Sequence, residues 1–234
     1  MSDTGTAGAG GRGEQHEFGR VDYTLAGLDE ADLTADPMDL FGRWYDDASA
    51  EGAGVAEPNA MVLSTVSDGR PSSRTVLLKE LSADGVPGFV LYTNRASRKG
   101  TELARDPHCA LHLGWYELQR QVRVEGVAQR VSQATSEAYF AGRPRASQLG
   151  AWASVQPVAQ SQVVPDRAAL EAAYAAAEER FAGSEVPCPP SWGGFLVVPL
   201  EVEFWQGRHG RVHDRLRYRR DTPDGDWVTE RLAP

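Results

Sequence analysis

Lysine and cysteine are scarce in this chain of 234 residues, and each scarcity limits the kinds of site that the protein can contain. The two cysteines, Cys109 and Cys188, are far apart and form no CxxC pair, which argues against a disulfide framework or a zinc site. The only two lysines are Lys79 and Lys99, whereas arginine supplies nearly all of the 24 basic residues, a bias typical of a GC-rich genome. Because arginine serves almost everywhere else, we treat the segments around both lysines as candidate sites.

The chain also lacks long apolar runs and an excess of positive charge. No run approaches the roughly 20 residues that span a bilayer. The N-terminus has neither the basic nor the apolar region of a secretory signal. We therefore expect a cytoplasmic protein with no membrane partner. The net charge of −9 argues against nucleic acid as a partner, so anion binding must come from local basic clusters.

Apolar periodicity predicts one mainly β domain after a Gly-rich, disordered tail at residues 1–19. Alternation and turn residues predict about eight strands joined mainly by hairpins. They lie at 61–66, 72–81, 89–93, 109–115, 121–131, 195–205, 211–218 and 227–232. Helices are predicted at 37–49, 97–105, 133–141, 144–153 and 167–181. An antiparallel barrel with peripheral helices is the simplest architecture for residues 20–234.

The most informative motif lies near the C-terminus, where Arg211, His213 and Arg215 recur at a spacing of two. In an extended strand these side chains would share one face. Guanidinium groups offer planar donor forks that match phosphate or carboxylate, so this face favours an anion site. A solvated hairpin edge is the alternative interpretation.

Two further basic clusters surround the lysines. Arg74 and Lys79 bracket an apolar stretch at an odd offset, which favours two separate anions, or alternatively charges at strand ends that reach solvent. Arg98 and Lys99 fall in the first turn of a predicted helix capped by Ser97. Cations are unfavourable there unless an anion is also bound, so a phosphate site is favoured.

A weaker signal comes from Tyr139, Arg143 and Ser147, spaced four apart across a helix break at Gly142 and Pro144. Gln121 and Gln156 are polar groups beside apolar strands, and are also weak signals. We interpret His16, His108, His112 and His209 as surface or core residues, because none has metal-like spacing with carboxylates. With several anion sites and no nucleophile motif, the pattern predicts that a bound cofactor performs the chemistry.

These segments together resemble the pyridoxine/pyridoxamine 5′-phosphate oxidase family, flavin enzymes with a Greek-key, FMN-binding split β-barrel. The resemblance runs from about Arg20 to Pro234, through EPNAMVLSTV, RTVLLK, YTNRASRKG, RQVRVEG, YFAGRPRASQLGAWAS, VPCPPSWGG, EFWQGRHGRVHDR and RLAP. It implies oxidation of pyridoxine or pyridoxamine 5′-phosphate to pyridoxal 5′-phosphate, with O2 as acceptor and H2O2 as product. It also implies a homodimer with FMN at the subunit interface.

The resemblance assigns roles to individual positions. It implies that FMN is bound by Arg74, Thr75, Val76, Leu77, Leu78, Lys79, Tyr92, Thr93, Arg98, Lys99, Gln121, Gln156, Trp205 and Arg215. It implies that the substrate phosphate is bound by Lys79, Tyr139, Arg143 and Ser147. Arg211 and His213 would act at the substrate ring as the catalytic pair, with Arg20 and Tyr23 covering it. No metal is implied.

Two positions depart from the family pattern. Pro157 stands where serine usually follows the glutamine, which removes a hydroxyl and an N–H that could contact FMN. Val212 stands where leucine is common, a small change in volume. Two other functions stay open at this stage: a related flavin oxidase acting on another aromatic metabolite, as in phenazine biosynthesis, and a non-catalytic flavin or pyridoxal phosphate carrier.

Overall fold

The computed structural model describes residues 22–155 and 160–234. The expected tail and the predicted site residues Arg20 and Gln156, with Pro157, lie outside these ranges. The strands are β1 (Ala60–Ser67), β2 (Arg70–Leu77), β3 (Glu80–Ala83), β4 (Val86–Asn94), β5 (His108–Trp115), β6 (Arg120–Arg130), β7 (Trp192–Gln206), β8 (Asp214–Arg219) and β9 (Val228–Arg231). The α-helices are α1 (Pro37–Ser49), α2 (Arg98–Arg105), α3 (Gln133–Ala141), α4 (Arg145–Ala153) and α5 (Arg167–Arg180). None of these described helices is long and apolar enough to cross a membrane.

The strands form one antiparallel sheet that closes on itself. Its order is β2-β1-β5-β6-β7-β4-β3, with β8 pairing to β7 and β9 pairing to β8. β3 follows β2 directly after Leu78 and Lys79, so the two ends of this order meet. The Lys79 N–H donates to the Val90 carbonyl of β4 at 2.9 Å and links the ends. The prediction of a mainly β, antiparallel barrel with peripheral helices is confirmed.

Strand β7 divides its pairing between two neighbours. Along one edge it pairs with β6 from Phe195 to Gln206. Along the other edge its first part, Trp192–Val197, pairs with β4, and its second part, Glu201–Gln206, pairs with β8. The barrel therefore splits at β7, and the two halves of this strand support different parts of the molecule.

Helix α1 covers the barrel core because its apolar residues recur at helical spacing. The Asp36 side chain accepts the Met38 N–H at 2.8 Å and caps the helix, and Pro37 occupies its first turn. Phe41 is fully buried and packs edge-on against Phe89 of β4, with ring centroids 4.9 Å apart. A second apolar cluster joins α3, α4 and α5 around Trp192.

Helix α2 begins at a tight turn that needs glycine. The Ser97 hydroxyl accepts the Gly100 N–H, which caps the helix. A Cβ at Gly100 would lie 2.4 Å from the Arg95 carbonyl oxygen, so a larger residue would force this turn apart. Arg98 and Lys99 are thereby held at the positive end of the helix dipole.

Two predicted strands differ from the structure. The strand expected at 72–81 breaks at Leu78 and Lys79, because the chain changes from pairing with β1 to pairing with β4. The strand expected at 211–218 starts at Asp214. Gly210 and Arg211 before it have φ of 66° and 62°, a left-handed bend that alternation could not reveal. The strand predicted to carry Arg211, His213 and Arg215 therefore does not extend to Arg211 and His213, and strand alternation cannot place their side chains on one face.

Phe204 should be a major contributor to the stability of this barrel. It is fully buried in β7, and its ring centroid lies 5.2 Å from that of Trp44 and 5.9 Å from that of Tyr218. We expect Phe204→Ala to lower the free energy of unfolding by about 3–5 kcal/mol, because it opens a cavity. Urea denaturation at fixed protein and flavin concentration measures this, with Val228→Ala at an exposed position of β9 as control. Equal losses in both variants would contradict the assignment.

Candidate active site

Residues from β2, β4 and three helices converge on one cavity of about 710 Å³, which we call the first cavity. Ten of the predicted site residues line it: Thr75, Val76, Leu77, Lys79, Tyr92, Thr93, Lys99, Tyr139, Arg143 and Ser147. Both lysines of the chain are among them. The break at Gly142 and Pro144 does not separate Tyr139, Arg143 and Ser147, because α3 and α4 meet at this cavity.

The lining of the first cavity is cationic. Lys79, Lys99 and Arg143 line it, and no carboxylate is among its described lining residues. Burial, with the nearby charge of Arg74, lowers the pKa of Lys99. Burial also lowers the pKa of Arg143, and its buried Nη1 has no hydrogen-bond partner among the described residues. A bound anion would supply that partner and offset the repulsion between these cations.

An aromatic stack forms one wall of the first cavity. The rings of Tyr92 and Tyr139 are nearly parallel, with centroids 3.8 Å apart, and Trp192 continues the stack 5.4 Å from Tyr92. The Arg143 guanidinium lies 4.9 Å from the Trp192 ring centroid. Burial, aided by the Glu80 carboxylate, raises the pKa of Tyr92 to about 12. The wall is therefore neutral at physiological pH and holds Arg143 by cation–π contact.

Three predicted FMN residues lie in the segments that form the first cavity but do not line it. Leu78 is buried in the barrel core. Arg74 lies behind the lining, where Glu102 accepts a hydrogen bond from its Nη2 at 3.0 Å. Arg98 also bonds to Glu102, through Nε at 2.8 Å, but most of its side chain is exposed. The charge of Arg74 still reaches the cavity, since it contributes to the lowered pKa of Lys99.

The predicted residues Gln121, Trp205 and Arg215 meet at another cavity of about 260 Å³, which we call the second cavity. Its lining residues are His112, Gln121, Arg123, Glu203, Trp205, Arg215 and Pro234. Glu203, 5% exposed, accepts two hydrogen bonds from Arg215, at 2.6 and 3.1 Å, and pairs with Arg123 at 2.9 Å. The bonds to Glu203 raise the pKa of Arg215. Glu203 therefore holds the two guanidinium groups in place.

Tyr23 and His213 gather beside the second cavity around Trp205. The ring centroid of His213 lies 4.6 Å from that of Trp205 and 5.6 Å from that of Tyr23. A Cβ at Gly207 would lie 2.7 Å from Cγ of Tyr23, so glycine is what lets Tyr23 pack here. The Arg208 backbone N–H donates to His213 Nδ1 at 3.1 Å, which places the proton of the neutral imidazole on Nε2.

The structure adds residues that sequence reasoning missed. His112, interpreted as a surface or core residue, lines the second cavity with Nε2 3.0 Å from Gln121 Oε1. Glu102 and Glu203 are buried carboxylates that bind the predicted arginines. His112 and Gln121 are diagonal neighbours across β5 and β6, because His112 lies opposite Arg123 and Gly114 lies opposite Gln121. The i, i+4 spacing of Arg98 and Glu102 in the predicted helix could have indicated one of these ion pairs, whereas the other arginine partners lie on separate elements of the fold.

The fold defines a split-barrel protein, and its first cavity has a cationic lining. A pyridoxamine 5′-phosphate oxidase-related, FMN binding protein from Nostoc punctiforme PCC 73102 shares the fold, with a TM-score of 0.67 at 16% identity over 86% of this chain and 100% of that one. PhzG from Burkholderia lata 383, solved in complex with tetrahydrophenazine-1-carboxylic acid, has a TM-score of 0.80 at 33% identity over 92% of this chain and 100% of that one.

Sequence comparison assigns the family. Residues 50–181 match the pyridoxamine 5′-phosphate oxidase model, and residues 192–234 match the pyridoxine 5′-phosphate oxidase C-terminal dimerisation region. The chain is 60% identical to a pyridoxine/pyridoxamine 5′-phosphate oxidase of Nocardioides sp. (strain ATCC BAA-499 / JS614), over 92% of this chain and 96% of the relative. It is 55% identical to one of Salinispora arenicola (strain CNS-205), over 89% and 90%. The chain belongs to the pyridoxine/pyridoxamine 5′-phosphate oxidase family, and the C-terminal match supports a homodimer.

The pKa of the His213 imidazole should lie below the ordinary value for histidine. Burial and the charge of Arg211 lower the pKa of His213 below its ordinary 6.5, against an opposing effect of Asp214. Protonation would also turn Nδ1 into a donor facing the Arg208 N–H. NMR titration should therefore give a pKa below 6.5, with the resonance assigned by its loss in His213→Gln. Arg211→Gln should raise this pKa, and a fall in that variant would show that the charge of Arg211 does not lower it.

Proposed function

We propose that this protein is an FMN-dependent oxidase of pyridoxine 5′-phosphate or pyridoxamine 5′-phosphate. The product is pyridoxal 5′-phosphate, with O2 reduced to H2O2, and the amine substrate also consumes water and releases ammonia. The observation that carries the proposal is the first cavity, whose cations, unpartnered Arg143 donor and aromatic wall suit phosphorylated aromatic ligands. The relatives with 55–60% identity bear the name of this activity.

The described residues fit FMN. Lys99 lines the first cavity near Thr93, to whose hydroxyl its Nζ donates at 3.1 Å, and Arg74 and Arg98 stand behind it. This end of the cavity would hold the FMN phosphate, aided by the start of α2. Gln121, Trp205 and Arg215 of the second cavity would contact the flavin ring system, with Gln156 as a further ligand. When bound, FMN accepts two electrons from the substrate and passes them to O2.

The separation of the two cavities supports an active site that is shared between two subunits. The first cavity adjoins β4 and the start of β7, whereas the second lies on the other part of β7 beside β8. The second cavity includes Glu203, Trp205, Arg215 and Pro234, all within the segment that matches the dimerisation region. We propose that the first cavity of one subunit faces the second cavity of its partner in a homodimer, with FMN bound between them.

The substrate would be held at both ends. Lys79, Arg143 and the hydroxyls of Tyr139 and Ser147 would bind its phosphate through charge-assisted and neutral hydrogen bonds. At the ring, Arg211 would supply a cation and His213 would donate from Nε2, the tautomer set by the Arg208 N–H. Arg20 and Tyr23 would cover the ring and exclude water. These residues orient the reacting carbon and supply charge.

An oxidase of a phenazine precursor is the second candidate, because PhzG from Burkholderia lata 383 was solved with such a ligand. Its identity of 33% is well below that of the relatives named pyridoxine/pyridoxamine 5′-phosphate oxidase. The cationic first cavity also favours a phosphorylated substrate. Peroxide formation with each phosphorylated vitamer, with unphosphorylated pyridoxine and with a reduced phenazine carboxylic acid tests the choice. Turnover of the phenazine compound alone would overturn our proposal.

Lys79→Ala tests the phosphate site. We expect kcat/KM for pyridoxine 5′-phosphate to fall about ten- to a hundredfold, since a charge-assisted hydrogen bond contributes about 1.5–3 kcal/mol. Bound FMN should remain near one per subunit. Unphosphorylated pyridoxine is the internal control, because its turnover, however slow, should hardly change. A proportional loss with both substrates would show that Lys79 does not serve the substrate phosphate.

If each active site combines residues from both subunits, a dimer of two different variant subunits should contain one unmutated site. Lys79→Ala and Arg215→Ala should each impair both sites of their own homodimer. After unfolding and refolding an equal mixture, random pairing should leave about a quarter of the sites unmutated, because one site of each mixed dimer receives both substitutions. Activity at low substrate should then rise above that of either parent. No recovery in dimers shown by light scattering to have re-formed would mean that one subunit supplies the whole site.

A further inference from the structure

Glu102 is a buried acidic residue in the middle of a cationic cluster. It lies in α2 and is 4% exposed. Its Oε2 accepts from the Thr65 hydroxyl at 2.6 Å and from Arg74 Nη2 at 3.0 Å, and its Oε1 accepts from Arg98 Nε at 2.8 Å. Both carboxylate oxygens are thus used by groups that come from three different elements of the fold.

These contacts determine how each guanidinium is presented. Arg74 is held by Glu102 together with the Thr65 and Ser72 hydroxyls, at 2.7 and 2.8 Å, and its side chain is 19% exposed. Arg98 is 62% exposed and gives its Nε edge to Glu102. The edge formed by Nη1 and Nη2 of Arg98 makes no hydrogen bond among the described residues. That edge is the one suited to two parallel bonds with a phosphate.

We infer that Glu102 is a positioning residue for the cofactor phosphate. It orients the Arg98 guanidinium by its Nε. It also helps to fix Arg74, whose Nη groups donate to Leu63, Thr65, Ser72 and Glu102, so that Arg74 contributes its charge rather than a free donor fork. The inference rests on the proposed function, which places the FMN phosphate at the start of α2. One carboxylate among Arg74, Arg98 and Lys99 reduces their mutual repulsion and still leaves the cluster positive. Glu102 therefore orients the arginines without cancelling their attraction for an anion.

A competing role for Glu102 predicts a change in FMN affinity of the opposite sign. If Glu102 merely competed with phosphate for the arginines, its neutralisation would strengthen FMN binding. If it positions them, neutralisation weakens binding, because a glutamine amide presents one N–H donor group where an arginine needs an acceptor. Glu102→Gln, which keeps the size of the side chain, separates these two roles by the direction of the change.

The test compares FMN with riboflavin, which has the same ring system and lacks the phosphate. Full-length protein freed of flavin is titrated with each compound, and quenching of flavin fluorescence gives Kd. For Glu102→Gln we expect the Kd of FMN to rise about tenfold and that of riboflavin to stay within about twofold. Glu171→Gln, the same change at an exposed glutamate of α5 that pairs with Arg167, should alter neither.

Arg98→Lys provides a second variant at an exposed position, where folding is not at risk. It keeps the charge but loses the planar fork, so we expect weaker FMN binding and unchanged riboflavin binding. An unchanged or lower Kd of FMN in Glu102→Gln would overturn the inference, as would an equal loss for both flavins, which would indicate a packing role. Wild-type protein that binds riboflavin but gains nothing from the phosphate would overturn it too. Failure of the wild type to bind either flavin would instead overturn the proposed function.

Discussion

The pairing of strand β7 is the constraint on which the rest of the structure depends. One strand of 15 residues pairs with β6 on one edge and with β4 and then β8 on the other. At about 3.3 Å per residue, Trp192 and Trp205 are separated by about 40 Å of strand. The aromatic wall of the first cavity stands at one end of this distance and the second cavity at the other. This separation is the basis of our proposal that a second copy of the chain completes the cofactor site, and residues 192–234 match a dimerisation region.

Local charge rather than net charge determines what this acidic protein binds. The chain carries a net charge of −9, yet the described lining of the first cavity has three cationic side chains and no carboxylate. Two acidic groups beside the cavities are buried, Glu102 and Glu203. Glu102 and Glu203 each bind two arginines. Charge compensation of this kind lets several guanidinium groups stay close together without losing the positive potential that attracts phosphate.

The sequence predicted those features of the fold and family whose signal lies in neighbouring residues or recurs in many segments of the chain. It predicted the antiparallel barrel, helix α1 with its cap at Asp36, and the family. The spacing of Tyr139, Arg143 and Ser147 was a weak signal across a helix break, and the resemblance to the family implied the common role that agrees with their lining one cavity.

Prediction failed where the structure depends on contacts between distant segments or on unusual backbone conformations. The bend at Gly210 and Arg211 delays β8 until Asp214, because both residues adopt a left-handed conformation that strand alternation cannot show. The spacing of Arg98 and Glu102 could have indicated their ion pair, but the contacts of Glu102 with Arg74 and Thr65 could not be predicted, since both are far from it in sequence. His112 looked like an ordinary strand residue until β5 paired with β6.

The scarcity of lysine has a practical consequence once the fold is known. Both lysine side chains of the chain line the same cavity. A reagent that acylates primary amines therefore has its only side-chain targets at the candidate active site, with the N-terminal amine as the remaining reactive group. Occupancy of that cavity can be followed by mass spectrometry as protection of Lys79 and Lys99 from labelling. Arginine side chains do not react with such reagents, so they add no labelled positions to the measurement.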